Sequence, residues 1–448
     1  MSKKEKTTAF CRVKTHMKVL YDIAVLGRGH YDPHFRTGIY RVVENIALGL
    51  AESEDCEVNF CASLSLENMN QAIEYLQKNQ KLGHIPFISL GGEKDFYKKV
   101  TGKINRMLDH TESAFEFSTL RKAFKAFRES LCYARRRADK SIQLLSANAL
   151  SAIDLYHSPF HPFPERETLP KSIKRIVTIH DLIPLLYPQF YEFDYASSVE
   201  KVINSLESHD WIICVSHSTK NDLCNYQKSI DPSRVFVTHL AASDIFYPCH
   251  DSEEIRSVKK KIKIPDVPYI LSLNTLEPRK NIAHTIRCFV RLVEQEKIKD
   301  LCLVIVGRKG WGYDNIFNEL SNVSSLRERI IITGYVANED LAALYSGAVA
   351  FVFPSFYEGF GLPPLEAMQC GVPVITSNTS SLPEVVGNAG IMVSPADGDA
   401  LCQSMLEIYR NPSLQKTMSL KSIEQAKKFS WQKCTQETIQ AYKTALGA

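Results

Sequence analysis

Residues 354–385 read PSFYEGFGLPPLEAMQCGVPVITSNTSSLPEV, and the fold follows from how this stretch must turn. The apolar run before it, 349–353, is of the kind that sits inside a parallel sheet, and its ladder has to stop at Pro354 and Ser355. A loop therefore begins at the carboxyl end of a strand. Gly359 and Gly361 remove Cβ bulk, so successive amides can turn toward one small volume, and Pro363 suits the first turn of a following helix. Strand, glycine loop and helix N-terminus together make an anion seat. Glu358 and Glu366 bracket it. Facing an anion they would repel it, so they read as acceptors for neutral hydroxyls on either side. A competing reading leaves them as acids that favour the positive end of a helix dipole.

A sugar nucleotide carries hydroxyls on both sides of its diphosphate, which fits two acceptors flanking one anion seat. The segment EGFGLPPLEAM, followed by GVPVIT and closed by LPEVVGNAG, resembles the donor-site signature of glycosyltransferase family 4, the retaining group 1 enzymes of GT-B fold. The resemblance implies that Glu366 holds the nucleotide ribose. It also implies that Glu358 and the amides of Gly359, Phe360, Gly361 and Leu362 address the donor sugar and diphosphate, and that no metal ion is needed.

With 448 residues the chain suits two domains, each able to bury its own core. No run approaches the roughly 20 apolar residues of a membrane span, and the start, MSKKEKTTAF, lacks the apolar core of a signal peptide. A cytoplasmic location is the expectation. The 12 cysteines are scattered without C-x2-C or partner-histidine spacing, so buried free thiols are expected rather than zinc or a disulfide framework. Net charge is +4, unevenly placed. Between Lys98 and Lys140 basic residues dominate, with Phe115, Phe117, Leu120, Phe124, Phe127 and Leu131 recurring at near-helical spacing. That pattern reads as a charged solvated face over a core stripe, as peripheral contact with an anionic membrane, or as a nucleic-acid surface. No nucleic-acid-reading motif accompanies it.

From the N-terminus, a β-like run at 18–21 leads into a long polar loop over 27–37, and a helix starting near Gly38 carries Ile39, Val42, Val43, Ile46 and Leu50 on one stripe. This is the opening of a Rossmann-like half. The loop reads R-T-G-I-Y-R rather than G-x-G-x-x-G, which disfavours a dehydrogenase. Gly38 either allows a tight turn or, by the resemblance, neighbours the donor phosphates. Strand candidates at 58–62, 154–157, 176–179, 211–215 and 235–238 alternate with helical patterns, as a parallel sheet requires. His180 and Asp181 fall where one of these strands ends, the edge at which open α/β sheets bind ligands. A histidine there is commonly structural; the resemblance makes His180 the residue that reaches the donor sugar. Ser218 reads as the N-cap of a helix near Thr219.

A polar, lysine-rich stretch at 249–268 marks a domain boundary. The second half opens with a strand at 269–273 and the loop N-T-L-E-P-R-K-N. Arg279 and Lys280, on a strand-to-helix loop at the carboxyl edge of a sheet, are placed to neutralise a diphosphate. Family 4 commonly has Gly-Arg where Asn274 and Thr275 stand, so Arg279 becomes the substitute cation while Lys280 matches the family lysine. Strands at 303–306, 330–333 and 349–353 continue the sheet, and Asn338 or a neighbour caps the helix bearing Leu341, Leu344 and Tyr345. The resemblance puts the nucleotide base near Tyr335 and Val336. A run at 390–393, a helix from about Asp399 and a final amphipathic helix over 430–446 complete the chain. Asp397-Gly-Asp399 has the form of a D-x-D metal motif, but its place just before a helix favours capping.

The expected architecture is thus α/β of GT-B type: an acceptor-binding Rossmann-like domain over 1–255, a donor-binding one over 256–428, and a C-terminal helix over 429–448 crossing back to the first. The expected activity is metal-independent retaining transfer of a hexose from a nucleotide sugar to a glycan or lipid-linked acceptor. Its mechanistic residues are His180, Glu358, Arg279 and Lys280. Similarity of E-P-R-K-N and LPPLEAM to bacterial mannosyl- and rhamnosyltransferases of surface polysaccharides points to GDP-mannose. A GT-B epimerase would use the same donor loop with further acid–base groups in the first domain. A non-catalytic basic module would have no reason to keep Glu358, Glu366, Arg279 and Lys280 together.

Overall fold

The computed structural model describes residues 16–32, 35, 36, 38–89, 145, 147–191, 195–313, 316, 319 and 324–447. Its strands form two parallel six-stranded sheets. The first sheet uses β1 Met17–Asp22, β2 Cys56–Cys61, β3 Leu155–Ser158, β4 Lys174–Ile179, β5 Trp211–Cys214 and β6 Val235–Val237 in the order β2-β1-β3-β4-β5-β6. The second uses β7 Tyr269–Leu273, β8 Cys302–Val306, β9 Ile330–Gly334, β10 Ala350–Phe353, β11 Val374–Ser377 and β12 Ile391–Val393 in the order β12-β11-β10-β7-β8-β9. The longer helices are α1 Ala24–Tyr31, α2 Gly38–Glu52, α3 Leu66–Lys78, α4 Ala196–Asn204, α5 His217–Tyr226, α6 Ser252–Lys261, α7 Ile282–Gln295, α8 Asn338–Ser346, α9 Leu362–Gln369, α10 Leu382–Val386, α11 Gly398–Arg410, α12 Pro412–Ala426 and α13 Trp431–Leu446. Two Rossmann-like α/β halves result, the arrangement of the GT-B fold.

Strand order decides where ligands can meet the chain. In the second sheet β7 lies between β8 and β10, so the loop after β7 and the loop after β10 leave adjacent strands at their carboxyl ends. This reversal of strand order is where open α/β sheets bind ligands. On one face of the sheet Ile270, Leu303, Ile305, Val352 and Ile375 share a core with Ile286, Phe289 and Leu292 of α7 and Leu401, Met405 and Ile408 of α11, and on the other face Leu271, Val304, Phe351 and Phe353 are buried as well. Such two-sided burial explains why its strands read as continuous apolar runs. The terminal helix α13 lies against β5 of the first sheet.

Two compact units emerge. One holds the described residues within Met1–Pro33, Ala47–His157 and Glu165–Arg175. At the end of β1 its buried Asp22 accepts hydrogen bonds from Ala24 N at 2.9 Å, Ser63 Oγ at 2.7 Å and the Tyr156 hydroxyl at 3.2 Å, fixing the exits of all three strands. The other unit holds the described residues within His34–Ile46, Ser158–Pro164 and Ile176–Ala448, and with them every residue of the site described below.

Several local expectations give way to tertiary packing. Residues 27–31, expected within the loop, belong instead to helix α1, because Gly27 lets α1 approach α3 so closely that a Cβ would overlap the Ala72 amide. Ser216, not Ser218, caps α5; its Oγ accepts from Thr219 N at 3.0 Å. Ala337, without a side-chain bond, stands at the N-cap of α8, and Asn338 is its first helical residue. The polar stretch after Cys249 contains α6, capped by Asp251. Strand β11 and helix α12, which no sequence pattern singled out, complete the second half. Asp397 caps α11 through Ala400 N at 2.9 Å, and Asp399 pairs with Arg291 at 2.8 Å. All described cysteines are free thiols, buried except for Cys224. The basic stretch at 98–140 lies outside the described residues. No helix among those described is long and apolar enough to cross a membrane.

Candidate active site

The loop from β10 to α9 is shaped by two glycines with different duties. Gly359 is forced by contact: a Cβ there would overlap the carbonyl of His180. Its own carbonyl accepts from Ser216 Oγ at 2.7 Å and Thr219 Oγ1 at 3.2 Å. Gly361 is forced by conformation, with φ +114° at the N-cap of α9, a region costly for any residue with a side chain. The amides of Gly359, Phe360, Gly361 and Leu362 donate to no other described residue, and Pro363 and Pro364 that follow have none to offer. A row of unpaired donors at a helix N-terminus remains, able to hold an anion.

The cations expected beside this row are present, and each is paired with a carboxylate. From the loop after β7, Lys280 Nζ donates to Glu358 Oε1 at 2.6 Å, and Arg279 Nη1 reaches Glu358 Oε2 at 2.9 Å. Arg279 Nη2 donates to Glu277 Oε1 at 2.6 Å, and Nη1 also donates to the Tyr357 carbonyl at 2.7 Å. Ser355 Oγ adds a 2.6 Å bond to Glu358. The buried Lys280 and the largely covered Arg279 thus face two buried carboxylates. Burial alone would raise the Glu358 carboxyl, yet the Arg279 and Lys280 charges with their hydrogen bonds outweigh it and hold it at about 2. Burial, aided by the Arg279 charge, pulls the Lys280 ammonium down, and the bond to Glu358 opposes this.

The cluster is not fully satisfied. Arg279 Nε and Asn274 Oδ1 are buried without a hydrogen-bond partner, and both lie on the loop after β7. Unpaired buried polar atoms are costly, and here they mark a place where a ligand can supply the missing partners. Asn281 adopts the left-handed conformation at φ 60° and spans the site's edge, donating from Nδ2 to the carbonyls of Pro354 at 3.1 Å and Pro395 at 2.7 Å.

Glu366, on α9, is buried and doubly held: Arg41 Nη1 on α2 donates at 2.8 Å and the Tyr345 hydroxyl at 3.2 Å. Burial raises its carboxyl, and Arg41 and Tyr345 work against that rise. Gly38 starts α2 within reach of α9, since a Cβ on it would stand 3.3 Å from Leu362 Cδ1. His180 presents its carbonyl to Gly359, while its ring Nε2 donates to the Pro159 carbonyl at 2.8 Å; burial lowers its pKa, which keeps the ring neutral. Tyr335 is 61% exposed just past β9, with the Arg308 guanidinium 4.6 Å from its ring, whereas Val336 is buried.

The chain as a whole resembles known sugar-transferring proteins. Residues 254–428 match the family model of glycosyl transferases group 1. O-antigen chain mannosyltransferase B of Escherichia coli is 37% identical over 293 residues, 64% of this chain and 74% of that relative. The chain belongs to the group 1 glycosyltransferases. A serotype-specific mannosyltransferase, WbdA of Escherichia coli, is 32% identical over 58% of this glycosyltransferase but only 32% of its own length. Among solved structures, sucrose-phosphate synthase from Thermosynechococcus elongatus superposes with a TM-score of 0.62 at 18% identity, covering 96% of this chain and 100% of that one. HepE of Anabaena, solved with UDP and glucose, gives 0.61 at 14% identity, covering 96% and 100% respectively. These two likenesses concern the fold.

Sequence reasoning about the glycosyltransferase found both carboxylates, both cations and the amide row, but not their partners. Glu277 stood in E-P-R-K two residues from Arg279 and went unassigned, and Arg41 closed the R-T-G-I-Y-R stretch unnoticed. A further group of metal-ligating types, His217, His239 and Glu384, has its ligand atoms within 4.8 Å of one another. Glu384 is already engaged there, accepting from His217 N at 2.8 Å, Ser218 N at 2.7 Å and His239 Nε2 at 3.2 Å. It caps the N-terminus of α5 from outside. A carboxylate so occupied ties α10 to α5 of the first sheet.

Proposed function

We propose that this glycosyltransferase is a retaining, metal-independent family 4 enzyme that transfers mannose from GDP-mannose to a glycan or lipid-linked acceptor. The unpartnered amide row at 359–362, beside Arg279 and Lys280, carries the reading. A nucleotide diphosphate placed on those amides would have the two cations at its side, and its ribose would meet Glu366. Donor identity is drawn from the 37% identical relative, a mannosyltransferase. Bond cleavage leaves charge on the diphosphate, so electrostatic stabilisation by fixed donors is the main contribution the protein makes. With donor and acceptor oxygens on one face of the sugar, the departing phosphate takes the acceptor proton. Glu358 then serves to hold both cations in place as well as to meet the donor sugar, and His180 stands on the adjoining strand end. Tyr335 and Val336 flank the base.

A thermal-shift panel tests the donor. GDP-mannose at about 100 times its dissociation constant should stabilise the protein by roughly 2.7 kcal/mol. UDP-glucose, UDP-N-acetylglucosamine and dTDP-rhamnose should stabilise it far less. Response to uridine ligands alone would overturn the mannose assignment and leave glycosyl transfer standing. Retention is read from the anomeric configuration of the product.

Metal independence has its own check. Turnover should be unchanged in excess chelator, because Arg279, Lys280 and the amides supply the positive charge a divalent ion would bring. Loss of turnover with chelator and recovery with manganese would refute it. We place the enzyme in the cytoplasm, with the basic stretch at 98–140 touching the inner face of an anionic membrane. Sedimentation with anionic but not neutral vesicles is the expected result.

A further inference from the structure

We propose that Arg41 is a positioning residue for donor binding: from α2 it holds the Glu366 carboxylate in place for the nucleotide ribose. The inference rests on the reading of Glu366 as the ribose ligand. The geometry is specific. Glu366 is 5% exposed, and its two oxygens are fixed by different elements, Oε1 by Arg41 Nη1 at 2.8 Å and Oε2 by the Tyr345 hydroxyl at 3.2 Å. These two bonds set the carboxylate plane and leave each oxygen with a further lone pair for a hydroxyl. Arg41 is itself anchored, since Asn45 Nδ2 donates to its carbonyl at 2.8 Å and the first turn of α2 sits against Leu362 through Gly38. Arg41 and Glu366 lie 325 residues apart in the chain, so α2 of the first Rossmann-like half takes part directly in shaping the ribose ligand of the second.

Electrostatics make this contact more than a spacer. The titratable groups facing Glu366 are Arg41 on α2, Tyr345 on α8 and Cys370 at the end of α9, and of these Arg41 is the cation. Burial pushes the Glu366 carboxyl upward and Arg41 opposes it. Without Arg41 the carboxyl titrates at higher pH, so the acid loss of donor binding moves upward on the pH scale. A residue that only packed would leave that profile unmoved.

Calorimetric titration decides it, using whichever of GDP, UDP, dTDP and ADP binds the wild type most tightly, between pH 5.5 and 8.5. Arg41→Met is expected to weaken binding about tenfold at neutral pH, the size of one charge-assisted bond, with the loss growing as pH falls. Arg41→Lys should recover most of it, and in turnover the donor KM should rise with kcat little changed. Glu366→Gln should weaken binding to a similar degree, and Arg41→Met should add nothing in its presence. If Glu366→Gln binds as the wild type does, the ribose reading itself fails and takes the inference with it. Weakened binding in Glu366→Gln with Arg41→Met normal at every pH overturns the inference alone. So does a loss in Arg41→Met that is constant with pH and additive with Glu366→Gln. Arg41→Lys keeps the test valid should Arg41→Met fail to fold.

Discussion

Replacing Arg279 by alanine is expected to lower turnover about a hundredfold, and Lys280→Ala should do nearly as much. Each removes one fixed cation from beside the amide row at 359–362, and losing one such contact to a charge that develops during the reaction costs on the order of 3 kcal/mol. The two variants should differ in what they leave behind. Arg279→Ala strips Glu277 of its 2.6 Å partner and frees the Tyr357 carbonyl, so some stability is lost together with turnover. Lys280→Ala leaves Glu358 still paired with Arg279 at 2.9 Å and should melt closer to the wild type. Initial rates at saturating donor, with thermal unfolding of the same preparations, separate the two effects. Near-normal turnover of Arg279→Ala would show that the charge opposite the diphosphate comes from elsewhere.

Glu358→Gln is expected to destabilise the protein by about 3–5 kcal/mol, the cost of breaking a buried ion pair by removing one partner. Arg279 and Lys280 would then share Glu277 as their remaining carboxylate in the cluster. The same residue sets an acid limit on the wild type. The Glu358 carboxyl in the folded protein lies at about 2, below its ordinary 4.5, so its contribution to stability is complete above about pH 4.5 and is lost as pH falls toward 2. Denaturant unfolding at a series of pH values should show this loss in the wild type and a flatter profile over the same window in Glu358→Gln. Equal stability of the two proteins at neutral pH would mean that the cations find other partners and that the pair contributes little.

Local sequence determined the two-half architecture of this protein. The alternation of apolar runs and amphipathic stripes specified two Rossmann-like halves, because side-chain periods of two and of about 3.6 are properties of neighbouring residues. The turn at Gly359 and Gly361 and the helix after it were legible for the same reason: glycine, proline and the end of an apolar run act on the backbone where they stand. Pairing across the chain was not legible. Lys280 meets Glu358 from 78 residues away because β7 and β10 are neighbours in the second sheet, an adjacency set by strand order and by no local pattern. Arg41 meets Glu366 because α2 comes to α9 at Gly38 and Leu362. The helical state of residues 24–31 depends on a partner helix close enough to need Gly27. Sequence thus chose which charges would stand on these loops, and tertiary structure decided that the cations would be held by carboxylates, because strand order brings the two loops together.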